Sequence, residues 1–254
     1  MWVEQIMGLP VSLHVRTEPG PRPDLEEAVA AVFATLRRFD AVFSTYRPDS
    51  DLMRVRRGEL SLREAHPWLT RAHDLTDEAV AATGGLFATD LIAPDGSRGW
   101  DPTGLAKGWA LERAVEPLRD VLAISFCCNG GGDVVCGLGA RSEHLRASWR
   151  VGLQDPRDAQ RIADVVHVET GAVATSGNSA RGQHILDPRS GSLIDRTGSA
   201  TVSGPSLMWA DIWATACFID PTALQRTVRR AAGDGRRTAV WTCRDRLVSQ
   251  VSLR

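Results

Sequence analysis

The spacing of apolar residues predicts two amphipathic helices in the first third of the chain. Downstream of a proline-rich loop, apolar side chains recur every three or four positions, which is the period of one helix face. These positions are Leu25, Ala28, Val29, Val32, Phe33, Leu36 and Phe39. Asp24 and Glu27 are spaced as in a capping box, which predicts that the helix begins at Asp24. A second helix is predicted from about residue 67 to residue 82, because Gly84 and Gly85 form a typical helix end.

Shorter apolar stretches predict strands in both halves of the chain. Residues 10–15 alternate between apolar and polar side chains, and residues 121–128 form one apolar run. Two more strands are predicted at about residues 165–168 and 172–174. The residues that follow, 175–184, are so polar and glycine-rich that they predict a loop. Because helices and strands are mixed without a strict alternation, the predicted fold class is α+β.

Two further helices and a hairpin complete the predicted elements. Residues 101–108 lead into a helix whose apolar face is Leu111, Ala114, Val115 and Leu118. Residues 221–232 are predicted to form a surface helix. Residues 239–243 and 247–253 are predicted to form a closing hairpin.

The composition excludes several classes of protein. Of the 254 residues, 43% are hydrophobic and 24% are charged, which is typical of globular domains. The net charge of −1 gives no electrostatic basis for binding nucleic acid or an anionic membrane. No apolar run reaches the roughly 18 residues that a membrane span needs, and the N-terminal residues lack the basic and apolar regions of an export signal. We therefore expect a cytoplasmic protein without a membrane span.

An almost wholly apolar segment, residues 208–219, contains two polar side chains, Asp211 and Thr215. If the segment is helical, these residues lie one turn apart on the same face. A buried carboxylate needs a partner, and two neighbouring hard oxygens suit a hard cation such as Mg²⁺. The alternative is that Asp211 bonds to a backbone amide or to an arginine, with Thr215 as packing.

Three more polar clusters interrupt apolar sequence, at residues 101–108, 129–133 and 175–188. Their glycines allow backbone amides to approach a ligand, as in phosphate-binding turns, although the glycines at residues 130–132 also fit an ordinary tight turn. Lys107 lies one turn inside a predicted helix, where it either reaches a phosphate or is a solvated surface lysine. His184 is a candidate acid, base or phosphate contact, although an isolated histidine is usually structural.

The polar clusters form a series of short motifs. Three are specific: Asp-x-x-Gly-x-x-Lys-Gly at residues 101–108, His-Ile-x-Asp-Pro-x-x-Gly at 184–191 and Ala-Asp-x-x-x-Thr at 210–215. Shorter ones are a Met-Gly strand at 7–8, Ser-x-Tyr at 44–46, Gly-x-Phe at 85–87, Gly-Gly-Asp at 131–133 and Thr-Ser-Gly at 175–177. In this order they resemble the motifs of the ApbE family of FAD:protein FMN transferases. One departure is that the aspartate expected directly after Gly-x-Phe is displaced to Asp90.

The resemblance implies a fold, an activity and a role for particular residues. It implies one roll-like α+β domain over residues 1–254, with an FAD cleft between subregions. The family cleaves the pyrophosphate of FAD, transfers FMN to a Thr or Ser hydroxyl of an acceptor protein and releases AMP. By matched position, Asp211, Thr215 and the Gly104 carbonyl would bind Mg²⁺, and His184 would lie beside the reacting phosphates. Our hypothesis is that His184, or the metal-bound carboxylate of Asp211, takes the acceptor proton. FAD would contact Met7, Tyr46, Leu86, Phe87, Ala88, Asp101, Lys107 and Ile185.

Two other functions use the same residues. An FAD pyrophosphatase would place water where the acceptor hydroxyl lies and would produce FMN and AMP. A flavin-binding protein without turnover is the third possibility, but the presence of Asp211, Thr215 and Lys107 argues against it, because a pure binder needs no metal site. The sequence identifies neither the acceptor protein nor the preference between Mg²⁺ and Mn²⁺.

Overall fold

The structure is a computed structural model that describes residues 1–92, 98–145, 147–178, 185–195, 197–222, 239–244 and 247–252. Its strands, in chain order, are β1 (Trp2–Ile6), β2 (Leu9–Thr17), β3 (Asp90–Ile92), β4 (Arg98–Trp100), β5 (Ile124–Gly130), β6 (Asp133–Leu138), β7 (Trp149–Asp155), β8 (Asp158–Val168), β9 (Gly171–Gly177), β10 (Leu186–Asp187), β11 (Ser192–Leu193), β12 (Ser199–Gly204), β13 (Ala239–Arg244) and β14 (Leu247–Ser252). Its α-helices are α1 (Pro23–Phe43), α2 (Asp51–Arg56), α3 (Pro67–Thr83), α4 (Thr103–Ala114) and α5 (Leu207–Ile219).

Eight of the strands form one antiparallel sheet in the order β1-β2-β5-β6-β9-β12-β13-β14. The main core lies between the helices and one face of this sheet, and α5 packs directly on β9 and β12. A smaller apolar cluster involves the β7–β8 hairpin and includes Val134, Cys136 and Val173 from the sheet. The mixed helix and sheet architecture confirms the predicted α+β class.

Helix α1 confirms the predicted amphipathic face, because all seven of its predicted apolar positions are buried. The predicted capping box is wrong. The helix begins at Pro23, whose fixed φ suits a first helical position, and no side chain caps its N-terminus. The carboxylate of Asp24 is instead held by the Arg22 guanidinium at 2.8 Å, which removes it from the role of a cap.

Helix α3 closely follows the prediction. It starts at Pro67 and is capped by the His66 side chain, whose Nδ1 accepts the N–H of Trp68 at 3.2 Å. It ends at Thr83, and Gly84 adopts φ 63°, the left-handed conformation that glycine permits without a steric penalty. Stacked and edge-on aromatic rings then join three helices, because Phe39 of α1 contacts both Trp68 of α3 and Trp109 of α4.

Helices α4 and α5 cross in close contact. A β-carbon added to Gly108 would lie 3.0 Å from the α-carbon of Met208 and 3.1 Å from the carbonyl oxygen of Leu207, so glycine permits this approach. The Glu112 carboxylate of α4 also accepts hydrogen bonds from the Ser206 hydroxyl at 2.9 Å and from the Met208 N–H at 3.1 Å. These contacts fix the start of α5 against α4.

The strand predictions were partly confirmed. Strands occur at each predicted position, and β13 pairs with β14 as the predicted closing hairpin. The predicted loop at residues 175–184 is wrong at its start, because residues 175–177 continue β9 and pair with β12. Pairing with β12 extends over residues 172–177, whereas pairing with β6 covers only residues 171–173. Residues 179–184 and most of the predicted helix at residues 221–232 lie outside the described residues.

Among the helices that the structure describes, none combines the length and apolar character needed to cross a membrane.

Candidate functional site

A cavity of about 880 Å³ brings together parts of the chain that are far apart in sequence. Its volume falls in the range of roughly 300–1,000 Å³ that is typical of small-molecule sites. Every predicted site residue that the structure describes lines it, namely Met7, Tyr46, Leu86, Phe87, Ala88, Asp101, Gly104, Lys107, Ile185, Asp211 and Thr215. The remaining predicted residue, His184, lies outside the described residues.

An ion-pair cluster forms one wall of this cavity. The Lys107 ammonium of α4 contacts the carboxylate of Asp133 at the start of β6, and it lies 3.5 Å from the carboxylate of Asp211 in α5. Asp133 is 1% exposed and Asp211 is 4% exposed. When all three groups are ionised, these two carboxylates and one ammonium leave one negative charge in excess. Taken by themselves, these three groups would attract a further cation, because water screens their charges little.

This cluster bears on the alternatives that the sequence left open for Lys107 and Asp211. The Lys107 side chain is 19% exposed and paired, so it is not a solvated surface lysine. Asp211 has Lys107 as an ion-pair partner, which the sequence reasoning did not propose. Asp133 was noted as the end of a glycine turn but was not predicted as a site residue, and its position directly after that turn was the available signal.

Thr215 lies one helical turn from Asp211 in α5, as the spacing predicted. Its hydroxyl oxygen is 2.9 Å from that of Ser176 in β9, a neighbour that the sequence reasoning assigned to a loop. A second hydroxyl pair, Thr175 with Thr201 at 2.8 Å, joins β9 to β12 along the same cavity. The wall around α5 therefore presents oxygen atoms from both carboxylate and hydroxyl groups.

The donor set fits Mg²⁺ better than a soft transition metal. Among the described residues, no group of three or more His, Cys, Asp and Glu side chains is arranged to hold a metal ion. The predicted ligands are instead one carboxylate, one hydroxyl and one backbone carbonyl, all of them hard oxygens. Mg²⁺ commonly binds through one or two carboxylates and completes its shell with water and substrate phosphates. The residues present therefore suit a Mg²⁺ ion shared with a phosphate ligand.

Two glycine-containing turns face the same cavity. Gly131 and Gly132, at φ 63° and 98°, form the two-residue turn between β5 and β6, where Gly130 pairs with Asp133. The tight-turn interpretation is therefore correct for the backbone, since two positive φ values are what such a hairpin requires. The Gly132 N–H donates to the Asn129 side chain at 3.0 Å. This turn also lines the cavity, so a tight turn and a ligand-binding turn are compatible interpretations of residues 130–132.

Met7 and Gly8 form a similar turn between β1 and β2, with φ 58° and 70°. The expectation that they belong to a strand is wrong, because they connect two strands. Methionine in the left-handed region costs roughly 1–2 kcal/mol. The Met7 side chain packs against the core and lines the cavity, so the strained backbone lies at a position with both structural and site contacts.

Asp101 is held in place by Arg56, which sequence reasoning missed. The Arg56 guanidinium lies 3.3 Å from the Asp101 carboxylate and donates to the Trp100 carbonyl at 3.0 Å. The other carboxylate oxygen of Asp101 accepts the Thr103 N–H at 2.9 Å, in the first turn of α4. Arg56 is the last residue of the short helix α2, and nothing in its local sequence points to Asp101.

The apolar and aromatic side chains that line the cavity differ strongly in their exposure to solvent. Leu86, Phe87 and Ile185 are buried, whereas Tyr46 is 90% exposed. A ring with one face to solvent can stack on a planar ligand at low cost. Asp90, the displaced aspartate, also lines the cavity and is exposed.

A protein-family model and a curated relative both match this chain. Residues 90–234, more than half of the chain, match the model of the ApbE family. A curated relative, the FAD:protein FMN transferase of Klebsiella pneumoniae (strain 342), is 32% identical over 124 residues. That alignment spans 45% of this chain and 36% of the relative, about a third of its length.

Solved structures show the same fold over nearly the whole chain. The flavin transferase ApbE from Vibrio cholerae has a TM-score of 0.71 at 20% identity, covering 99% of this chain and 96% of that one. The apo flavinyl transferase ApbE of Pseudomonas stutzeri has a TM-score of 0.69 at 20% identity, covering 100% and 94%. The ApbE protein of Thermotoga maritima has a TM-score of 0.65 at 21% identity, covering 95% and 93%. At these identities the likeness establishes the fold alone.

Proposed function

Because this chain belongs to the ApbE family, we propose that it transfers FMN from FAD to a Thr or Ser hydroxyl of an acceptor protein and releases AMP. The observation that carries the proposal is the ion-pair cluster of Lys107, Asp133 and Asp211, which lies in the wall of a cavity large enough for a nucleotide. Oxygen ligands, an ammonium group and a glycine turn together are the features that phosphoryl transfer requires.

The described residues divide between binding the flavin nucleotide and handling its phosphates. Tyr46 and Met7 would border a ring of FAD at the open side of the cavity, with Leu86, Phe87, Ala88 and Ile185 as the apolar wall. Asp101, oriented by Arg56, would accept a hydrogen bond from the nucleotide. Lys107 would place its ammonium near the pyrophosphate, where positive charge offsets the charge that develops as AMP leaves.

Asp211, Thr215 and the Gly104 carbonyl would hold Mg²⁺. When bound, the ion would supply charge neutralisation at the pyrophosphate and orient the leaving AMP. The buried position of Asp211 supports this assignment, because a charged group excluded from water binds a cation more strongly than an exposed one does. The Ser176 hydroxyl would orient the Thr215 hydroxyl, so that an oxygen lone pair faces the ligand.

The acceptor hydroxyl must lose a proton during transfer. We propose His184 as the group that takes it, with Asp211 as the alternative. A histidine changes its protonation state near neutral pH, which suits a general base. His184→Ala should therefore slow FMN transfer while FAD binding is retained, and unchanged transfer would exclude His184 as the base.

The proposal is tested by following both products of FAD. Purified protein is incubated with FAD and either Mg²⁺ or EDTA, with and without an extract of the source cell as the supply of acceptor. AMP is measured by chromatography, and covalent flavin is measured as a fluorescent band on a denaturing gel. Asp211→Asn is the matched variant, because it removes the charge with little change in shape.

Three outcomes separate the candidate functions. AMP that appears only with Mg²⁺, together with a fluorescent acceptor band, supports the transferase. AMP with free FMN and no labelled band at any acceptor concentration supports the pyrophosphatase. Bound FAD with no AMP at any Mg²⁺ concentration supports a flavin-binding protein. Asp211→Asn should abolish AMP release in the first two cases while leaving the thermal unfolding curve close to that of the wild type.

A further inference from the structure

Asp133 joins three elements, and the roles above give its side chain no task of its own. One oxygen of its carboxylate accepts the N–H of Thr175 in β9 at 3.1 Å, and the other contacts the ammonium of Lys107 in α4. The side chain is 1% exposed. Because one oxygen accepts a backbone N–H, the other is in ion-pair contact with Lys107, and the side chain is buried, the carboxylate is tied to both β9 and α4.

Lys107 lies between two carboxylates and is closer to one of them. Its ammonium nitrogen is 3.5 Å from Asp211 Oδ2, and its contact with Asp133 Oδ2 is shorter. Coulomb attraction increases as the separation falls, and it is strongest where solvent is excluded. Of the two carboxylates, Asp133 therefore interacts more strongly with the ammonium, and Lys107 neutralises less of the charge of Asp211 than of Asp133.

A divalent cation bound to Asp211 would compete with Lys107 for the same carboxylate. If Asp133 were neutral, the ammonium would be drawn towards Asp211, and its full positive charge would act on the cation site. Both effects weaken cation binding. The negative charge of Asp133 prevents both without occupying the cavity, because it approaches Lys107 from β6.

We propose that Asp133 is a positioning residue that holds Lys107 away from Asp211 and so keeps the Asp211 carboxylate available to a divalent cation. The inference rests on the cation site in the proposed function and adds a residue to it. Because Asp133 is proposed to act on Lys107 and Asp211 within this chain, its role can be tested by measuring cation binding without turnover.

The experiment measures Mn²⁺ binding to the purified full chain without FAD, from the decrease in the electron paramagnetic resonance signal of free Mn²⁺. Four proteins are compared: the wild type, Asp133→Asn, Lys107→Met and the double variant. Asp133→Asn keeps an oxygen that can accept the Thr175 N–H and removes the charge. Lys107→Met removes the ammonium and keeps an unbranched side chain of similar length.

We expect Asp133→Asn to weaken Mn²⁺ binding about tenfold, a coupling of the size found between residues in contact. The double variant should bind within about twofold of the wild type, because the competing ammonium is gone and the net charge of the cluster is unchanged. Lys107→Met alone should bind Mn²⁺ at least as tightly as the wild type. This single variant leaves Asp133 in place and provides a second test if Asp133→Asn does not fold.

Several results would overturn the proposal. If the double variant bound Mn²⁺ as weakly as Asp133→Asn, Asp133 would act on the cation directly. Unchanged binding in Asp133→Asn, or weaker binding in Lys107→Met, would contradict competition by the ammonium. A wild-type chain that bound no Mn²⁺ would reject the cation site together with this inference. AMP release and flavin labelling report separately on transfer, so failure of the inference is distinguishable from failure of the proposed function.

Asp90→Asn is the matched control for a change of charge. Asp90 also lines the cavity, but it is exposed, so solvent and salt screen its charge. Its substitution should alter Mn²⁺ binding by less than about twofold. A tenfold loss in this control would mean that the cavity responds to total charge and would remove the special role of Asp133.

Discussion

The hydroxyl oxygens of Ser176 and Thr215 lie 2.9 Å apart and join strand β9 to helix α5. The pair is positioned beside Asp211, one helical turn before Thr215. A hydrogen bond to a neighbouring hydroxyl restricts the rotation of a hydroxyl group, and both residues line the cavity. The relationship therefore gives Ser176 an influence on whatever binds at Thr215.

The first prediction concerns Ser176→Ala. Removing its hydroxyl frees the Thr215 hydroxyl to rotate, and loss of such an orienting partner typically weakens metal binding by about 10-fold or more. We expect the Mg²⁺ concentration for half-maximal AMP release to rise by about that factor, with little change in the thermal unfolding midpoint. Ser199→Ala is the control, because Ser199 is similarly buried and lines the same cavity. Equal Mg²⁺ dependence in the two variants would show that Ser176 has no orienting role.

The second prediction concerns the crossing of α4 and α5 at Gly108. A β-carbon at this position would approach the Met208 α-carbon to 3.0 Å, and backbone atoms yield poorly. At Gly104, in the same helix, an added β-carbon would meet the Phe87 ring at 3.4 Å, which is an ordinary contact. Alanine improves helix propensity by about 1 kcal/mol at the interior Gly108 and by less at Gly104 in the first turn, whereas overpacking costs about 1–3 kcal/mol. We therefore expect Gly108→Ala to be less stable than Gly104→Ala by about 1–2 kcal/mol in urea unfolding.

The comparison between these two glycine variants is internally controlled, since the substitution and the helix are the same. Equal free energies of unfolding would mean that α5 shifts to accept the methyl group. In that case Lys107 and Asp211 should move relative to each other, and Gly108→Ala should change the Mg²⁺ dependence of AMP release instead of the stability.

The third prediction concerns the pH dependence of the α3 cap. Burial lowers the pKa of His66, the charge of Arg38 lowers it further, and Asp51 opposes these effects. A histidine with a lowered pKa favours the neutral form in the folded state, so its contribution to stability is full above its unfolded pKa of about 6.5. That contribution is lost as the pH falls below this value towards the folded pKa. Protonation would also remove the Nδ1 lone pair that accepts the Trp68 N–H.

His66→Asn provides the comparison, because asparagine is a good helix cap that does not titrate in this range. We expect the wild type and His66→Asn to have similar free energies of unfolding at about pH 7.5, and the wild type to become the less stable of the two as the pH falls to about 5. Denaturant unfolding at both pH values measures the difference. A difference that does not change with pH would contradict the role of neutral His66 as the cap.

The elements that the sequence predicted well are those with a clear local pattern of residues. Helix α1 has a clear apolar face, and helix α3 has both a proline start and a glycine end. By contrast, α5 is buried on nearly all sides, so its sequence has no alternation of apolar and polar faces that would predict a helix. The prediction that Asp211 and Thr215 share a face therefore assumed a helix that the sequence did not itself establish. The predicted strand ended too early at residue 174, because the polar residues 175–177 pair with β12 and local sequence does not reveal this partner.

The candidate site was predicted through motifs, and the residues that the prediction missed differ in how much local signal they have. Lys107 and Asp211 belong to motifs that resemble those of a family, and they meet as ion-pair partners. Arg56 reaches the site through tertiary packing alone, so a sequence without its fold does not identify it. Ser176 belongs to the Thr-Ser-Gly motif at residues 175–177, but its contact with Thr215 was not visible in the sequence. Asp133 is intermediate, because the glycine turn before it was visible but its contact with Lys107 was not.

The order of the sheet has a consequence for the chain as it is synthesised. Lys107 and Asp133 emerge from the ribosome well before Asp211, whose helix packs on β9 and β12 only after both strands have been made. Contacts over such long sequence separations form late in folding, since loop closure must precede them. A nascent chain that has not reached α5 therefore lacks one wall of the cavity and the second carboxylate of the cluster. Under the proposed function, FAD should therefore bind at this cavity only after α5 has docked, and a partly synthesised chain should not bind it.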